Sequence, residues 1–406
     1  MRYRHHLGET YNPSFFLAAL GNGGLAISFF VYLTFMVPHK GAPIVTFEHI
    51  YAQLQISTLA IQALIVLALM AVVFFAVQHF RTLIWNIVEY REFRTTPAYD
   101  NLLKGPGEVM LMAMPLTYAM TINVSFALGA LFVPGLWSIV EYMFPAALLA
   151  FAGVAVYALM LFRRFFTRVA VSGGLGSSET AHFGMLVPSF AFAMIGVGFA
   201  APAAMSTIKV VAAIAMIFAI FFITVSLFLA AAKLILGLRG IFEHGLSRAA
   251  AGSIWILIPI LTVTGIGLIR LQHGLAHHFG APSVPADYLI LITVFLSVQL
   301  LIGFLGHAAL ERLGYFDDFI HGNEKNPATY ALICPGVGLV VFGMFFLSAG
   351  LVATDLVVKF SVIYFILLTP ILLLQAITIR TLFRLNGKLL AVSTSNDSGE
   401  NGVSYS

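Results

Sequence analysis

The run YALICPGVGLVVFGMFF, residues 330–346, sets a proline and three glycines inside a stretch otherwise apolar enough to cross a membrane. It also holds the only cysteine of the chain, Cys334. A proline in a helix interior removes one backbone hydrogen bond and bends the axis. In hydrocarbon, the carbonyl so released is tolerated only against protein or a water-filled cavity. A span of this kind is expected to face the inside of a bundle rather than lipid.

The same pattern recurs in alternate apolar runs: NPSFFLAALGNGG from Asn12, MPLTYAMTINVS from Met114, VPSFAFAMIGVG from Val187 and IPILTVTGIGL from Ile258. With Pro13, Pro115, Pro188, Pro259 and Pro335 in register, the residue eight places on is Gly21, Asn123, Gly196, Gly267 or Gly343. The later prolines are 73, 71 and 76 residues apart, and the first interval is 102. This is an internal repeat of one helical hairpin used five times. The five prolines are expected to kink five inner helices. The glycines would mark a level at which the bundle has room.

Composition agrees. Of the residues, 60% are hydrophobic and 9% charged, with mean hydropathy +0.97. A soluble domain carries about a quarter charged residues, so the chain reads as an all-α polytopic membrane protein with the lipid bilayer as its first partner. The net charge of +4 fits a basic rim against anionic lipid better than nucleic acid. A single cysteine excludes an intrachain disulfide framework and a cysteine-based zinc site. No phosphate loop, nucleophile elbow or paired haem ligand is present, so no cofactor, metal or enzyme activity is expected.

Runs of about 20 apolar residues fall at 12–37, 51–80, 106–133, 136–162, 183–206, 208–236, 252–271, 286–310, 328–353 and 356–385. These ten spans make a transmembrane domain over 12–386, after a polar N-terminal tail (1–11) and before a disordered tail (387–406). Within 81–105, RTLIWNIVEYREF (81–93) has Leu83, Ile84, Ile87 and Val88 on one face and is expected to lie in the membrane interface. Lys and Arg number 17 on the side of the termini and four on the other. That asymmetry puts both termini in the cytoplasm, and the expected location is a bacterial inner or plasma membrane. HGLAHH (273–278) reads as a solvated loop on the far side, and His182 as an interfacial residue at the cytoplasmic mouth.

On this architecture and spacing the chain resembles the tellurite-resistance/dicarboxylate transporter family, which includes the TehA proteins and the plant slow anion channels. NPSFFLAALGNGGLAISFF resembles the first helix of that family, and the resemblance covers about residues 12–386. It implies five inner proline-kinked helices around a central pore, a homotrimer, and a pore plugged by a phenylalanine on the ninth helix. Phe342, seven residues after Pro335, best matches that gate. The chain is also similar to the TsoY family, whose members include selenoproteins. That likeness would make Cys334 the sulfur counterpart of a selenocysteine, with a redox or soft-ligand role.

The chemistry of the inner spans reads as neutral. Glu108 and Arg270 sit at span ends, and Glu141 is the only carboxylate well inside a span. Coupled carriers keep ionisable groups or ion sites at mid-membrane, so their absence favours passive conduction. Candidate pore-lining groups are Ser14, Thr117, Tyr118, Thr121, Asn123, Ser189, Thr262 and Thr264. Each hydroxyl has the alternative of bonding the carbonyl one turn back. Neutral donors suit a small inorganic or organic anion and let it leave. The leading expectation is an anion channel or facilitator. A secondary exporter of sulfur or selenium oxyanions or dicarboxylates stands second, and a membrane redox protein using Cys334 third.

Overall fold

The computed structural model describes residues 2–173 and 183–392. Among these the chain is helical, with ten helices long and apolar enough to cross a membrane. The second, fourth, sixth, eighth and tenth spans are Leu59–Phe93 (α3), Leu136–Ser172 (α6), Lys209–His244 (α8), Pro285–Arg312 (α10) and Val362–Leu389 (α12). The α-helices of the odd spans are Phe16–Met36 (α1), Ala113–Phe132 (α5), Val187–Met205 (α7), Leu257–Phe279 (α9) and Ile333–Phe345 (α11). Two short helices, Phe47–Ile56 (α2) and Pro97–Lys104 (α4), lie in the connections.

Each odd helix is entered through a 3₁₀ segment: Pro13–Phe15, Pro106–Met112, Phe183–Leu186, Arg248–Trp255 and Pro327–Leu332. Two of these start at an Asn-Pro pair. The side chains of Asn12 and Asn326 accept from the backbone N–H of Ser14 and Ala328, both at 2.9 Å, and the proline takes the first helical position. Such caps satisfy orphan N–H groups that lipid offers no water to satisfy.

This entrance corrects the expectation for Pro13, Pro115, Pro188, Pro259 and Pro335. Pro13 opens its 3₁₀ segment, and the other four stand second or third in their α-helices. At that place the missing N–H has no intrahelical partner to lose. The prolines therefore mark the 3₁₀-to-α junction. Helix-interior prolines do occur, at Pro145, Pro202 and Pro370.

The odd helices are the inner ones. Buried residues make up 61–89% of the apolar stretch in each odd span and 17–39% in the others. Contacts run from α1 to α5, α7, α9, α11 and back to α1. The 3₁₀ segments touch one another in the same order. Each inner helix also packs against the outer helix that follows it.

The glycines in register serve these contacts. A Cβ at Gly196 or Gly267 would lie 2.8 or 2.7 Å from the side chain of Ile223 on α8. At Gly343 it would meet Ile371 of α12 at 3.2 Å, and at Gly21 Ile333 at 2.8 Å. Small residues let helices approach closely where lipid gives no hydrophobic drive to associate. The level expected to leave room instead admits a neighbouring isoleucine.

The segment 81–93 continues α3 without a break. Its buried face carries Leu83, Trp85, Asn86, Glu89 and Phe93, while Ile84 and Val88 are exposed. The buried face holds the N-terminal tail. Trp85 Nε1 donates to Arg4 O at 2.7 Å, the backbone N–H of Leu7 donates to Glu89 Oε2 at 2.9 Å, and Tyr11 donates to Asn86 Oδ1 at 2.9 Å. The second span begins at Leu59, since α2 is a separate helix on the far side. Tyr3 bridges to Ala391, which places the N-terminal segment and the end of α12 together on one side. The expected disordered tail is helical through Leu389, and residues 393–406, like His182, lie outside the described residues.

Candidate functional site

A cavity of about 170 Å³ lies on the axis of the inner ring, lined by all five inner helices. Its wall on α11 is Cys334, Val337, Gly338, Val341 and Phe345, and on α9 Pro259, Thr262, Val263, Ile266 and Arg270. Both sets fall at i, i+3, i+4, i+7 and i+11, the pattern of a single helical face. Near the termini, lining begins at Leu20, Phe190, Pro259 and Cys334, and no residue of the 3₁₀ segments takes part. Phe15, Leu111, Leu186, Ala251 and Tyr330 of those segments are fully buried beneath it. At the other end the wall reaches Val31, Met205 and Ile44, the last in the loop after α1. The cavity therefore extends toward the face opposite the termini.

Arg270 is the residue that the sequence reading missed. The apolar run 252–271 puts it at the end of a span; α9 in fact runs nine residues beyond Arg270, to Phe279, and carries it in the cavity wall. Its Nη1 donates to Val197 O at 3.1 Å. Among the described residues no carboxylate lies within ion-pair distance of it. The other carboxylates expected near spans are spoken for. Buried Glu108 binds Arg164 at 2.9 Å and Arg168 at 2.7 Å, and Glu141 accepts from Ser206 Oγ and Thr207 N at 2.8 and 2.6 Å. A guanidinium with a single carbonyl partner in an apolar, intramembrane cavity is costly to keep, by about 2.5–3.5 kcal/mol at a helix centre. An anion in the cavity would offset that cost.

Of the eight polar groups expected to line a pore, Asn123 and Thr262 do so. Among the described residues Asn123 Nδ2 reaches only Met194 Sδ, at 3.7 Å, and Thr262 donates back to Ile258 O at 3.1 Å. The others are turned away. Thr117 donates to Ala113 O and Phe16 O, and Thr121 meets the buried His79 Nε2 at 2.9 Å. Ser189 pairs with Ser226 of α8 at 3.0 Å, and Tyr118 stacks on Tyr157 in an outer groove. Ser14 is buried in its 3₁₀ turn and Thr264 is buried off the cavity. In hydrocarbon a free hydroxyl is expensive, so Thr117 and Ser189 bond nearby carbonyls or clamp a neighbouring helix, while Thr264 Oγ1 is buried with no partner among the described residues.

Phe342 is also turned away. Its ring is fully buried and lies on α9 at Gly265, where an added Cβ would meet Cε2 and Cζ at 2.7 Å. The ring of Phe295 on α10 flanks it at 6.4 Å. The aromatic side chain that α11 presents to the cavity is Phe345, set edge-on to Phe35 at 4.9 Å.

Cys334 lines the inner end of the cavity and is otherwise buried. Among the described residues no cluster of His, Cys, Asp and Glu is fit to hold a metal. Cys334 faces the cavity, and the cavity leads away from the termini. A small thiol reagent is expected to label Cys334 from the face opposite the termini, faster when anionic than cationic because it passes Arg270. Labelling only from the termini face, or only after denaturation, would contradict this path.

The far face is tied by side chains. Expected to be loop, 273–278 is helical, and His278 Nε2 donates to Ser206 O at 2.8 Å. Glu48 of α2 accepts from Gly135 N at 2.7 Å and from the Thr46 hydroxyl at 2.8 Å. Those bonds, the Gly135 N–H first, hold its carboxyl below the ordinary carboxylate value. Their contribution is present above that ordinary value and is lost as pH falls through the lowered one.

No family model matches the chain, and neither the curated proteins nor the solved structures contain a match to it.

Proposed function

We propose that this protein is a passive facilitator for a small anion, conducting through the axis of a five-hairpin repeat. The observation that supports it most is Arg270, a cation facing the axial cavity with one carbonyl as its protein partner. Anions entering from the far face meet this charge in a low-dielectric wall, which concentrates them there. A single fixed charge and few other donors hold an anion loosely enough to release it. The gate of this reading is the aromatic and 3₁₀ collar on the termini side, where the lining stops. By charge asymmetry the termini face the cytoplasm, and by resemblance three copies assemble.

Purified protein in liposomes, with no proton or sodium gradient, is expected to pass chloride or nitrate down its own gradient. Flux that appears only when a proton or sodium gradient is imposed would replace facilitation with coupled transport.

A further inference from the structure

The walls of the cavity say more about its occupant than its charge does. Among the described lining residues Arg270 is the one Lys, Arg or His, so a dianion would leave one charge uncompensated in an apolar space. Between Arg270 and the inner end, α9 presents Ile266, Val263 and Pro259, and Met120, Met194 and Val337 of three other helices line the same cavity. Asn123 and Thr262 interrupt that surface, and the Thr262 hydroxyl is already committed to its own helix. Arg270 and Pro259 are eleven residues apart, about 16 Å along the axis. A hydrated inorganic ion gains little from such walls. Ligand pockets of this composition, apolar with one or two placed polar groups, bind organic molecules by their bodies and orient them by the polar group.

We infer that the cavity takes an organic monoanion with an apolar body, of the class of short monocarboxylates such as butyrate, hexanoate or benzoate. The carboxylate meets the open donors of Arg270, and the body lies against Ile266, Val263, Met120 and Met194. A cavity of about 150 Å³ with apolar walls stays dry and holds a benzene-sized molecule; this one, at about 170 Å³, has room for a body of that size. The inference rests on Arg270 being the anion site, and narrows it to one class.

The test is calorimetric titration of the full chain in lipid nanodiscs, with empty nanodiscs subtracting partition into lipid. Acetate, butyrate, hexanoate, succinate and chloride are the probes. Affinity is expected to rise about four-fold per methylene from acetate to hexanoate, with succinate weaker than butyrate. Arg270→Gln should lose roughly ten-fold or more for every monocarboxylate. Ile266→Ser should weaken hexanoate more than acetate and so flatten the rise with chain length, a pattern that misfolding does not produce. A flat series, succinate as tight as butyrate, or an unchanged Arg270→Gln protein would overturn the inference. If chloride flux in liposomes still depends on Arg270 while the series is flat, the facilitator reading survives and only the class falls. If neither flux nor binding depends on Arg270, both fall.

Discussion

Replacing Arg270 with glutamine is expected to cut anion flux through the reconstituted protein by roughly 10²–10³-fold. Glutamine keeps a donor and much of the volume but removes the charge. A monoanion about 4 Å from a guanidinium gains about 4 kcal/mol at an effective dielectric constant near 20, some 10³-fold in occupancy, and water in the cavity trims that figure. Arg270→Lys should fall between the two proteins, because the charge remains while the planar fork that grips an oxyanion is gone. Stability is the control. Among the described residues Arg270 has one carbonyl partner and no counter-ion, so the glutamine protein should melt no lower than the parent. A glutamine variant that assembles normally and conducts normally would remove Arg270 from the pathway.

Phe342→Ala is expected to destabilise the protein by about 3–5 kcal/mol, the cost of emptying a well-packed aromatic site, and to leave conductance unchanged. The ring fills the groove over Gly265 beside Phe295, outside the cavity. Phe345→Ala is the informative contrast. Its ring lines the cavity and leans on Phe35, so its loss should widen the outer part of the path and raise flux. Thermal melting and liposome flux on the same preparations separate the two effects. Higher conductance from Phe342→Ala would mean that this ring enters the axis in another state of the protein.

The site was legible only in part. Asn123 stood out because the other four repeats have glycine at its level, and it does line the cavity. Arg270 escaped because a span of 252–271 puts it at the membrane edge. The helix reaches Phe279 instead, and polar residues at 272–278 hid that extension from a reading by hydropathy. HGLAHH offered a signal: its last turn ends on His277 and His278 and is followed by Gly280 in the left-handed conformation, the usual end of a helix. The hydroxyls misled for another reason. Ser189 and Ser226 are 37 residues apart, and nothing local tells that each is the other's partner.

The sequence by itself determined the membrane class, the ten spans and the alternation of inner and outer helices. Hydropathy and the recurrence of Pro are properties of each segment alone, and lipid leaves a segment of about 20 apolar residues little choice but to form a helix and cross. The tertiary structure decided which face of each inner helix meets the axis. It turned Val341 and Phe345 to the cavity and Phe342 away, and it used Gly196 and Gly267 to admit Ile223. Inner helices that are apolar all round carry no amphipathic stripe to fix their rotation. That rotation is set by the fit of side chains from neighbouring helices, which no single segment of the chain contains.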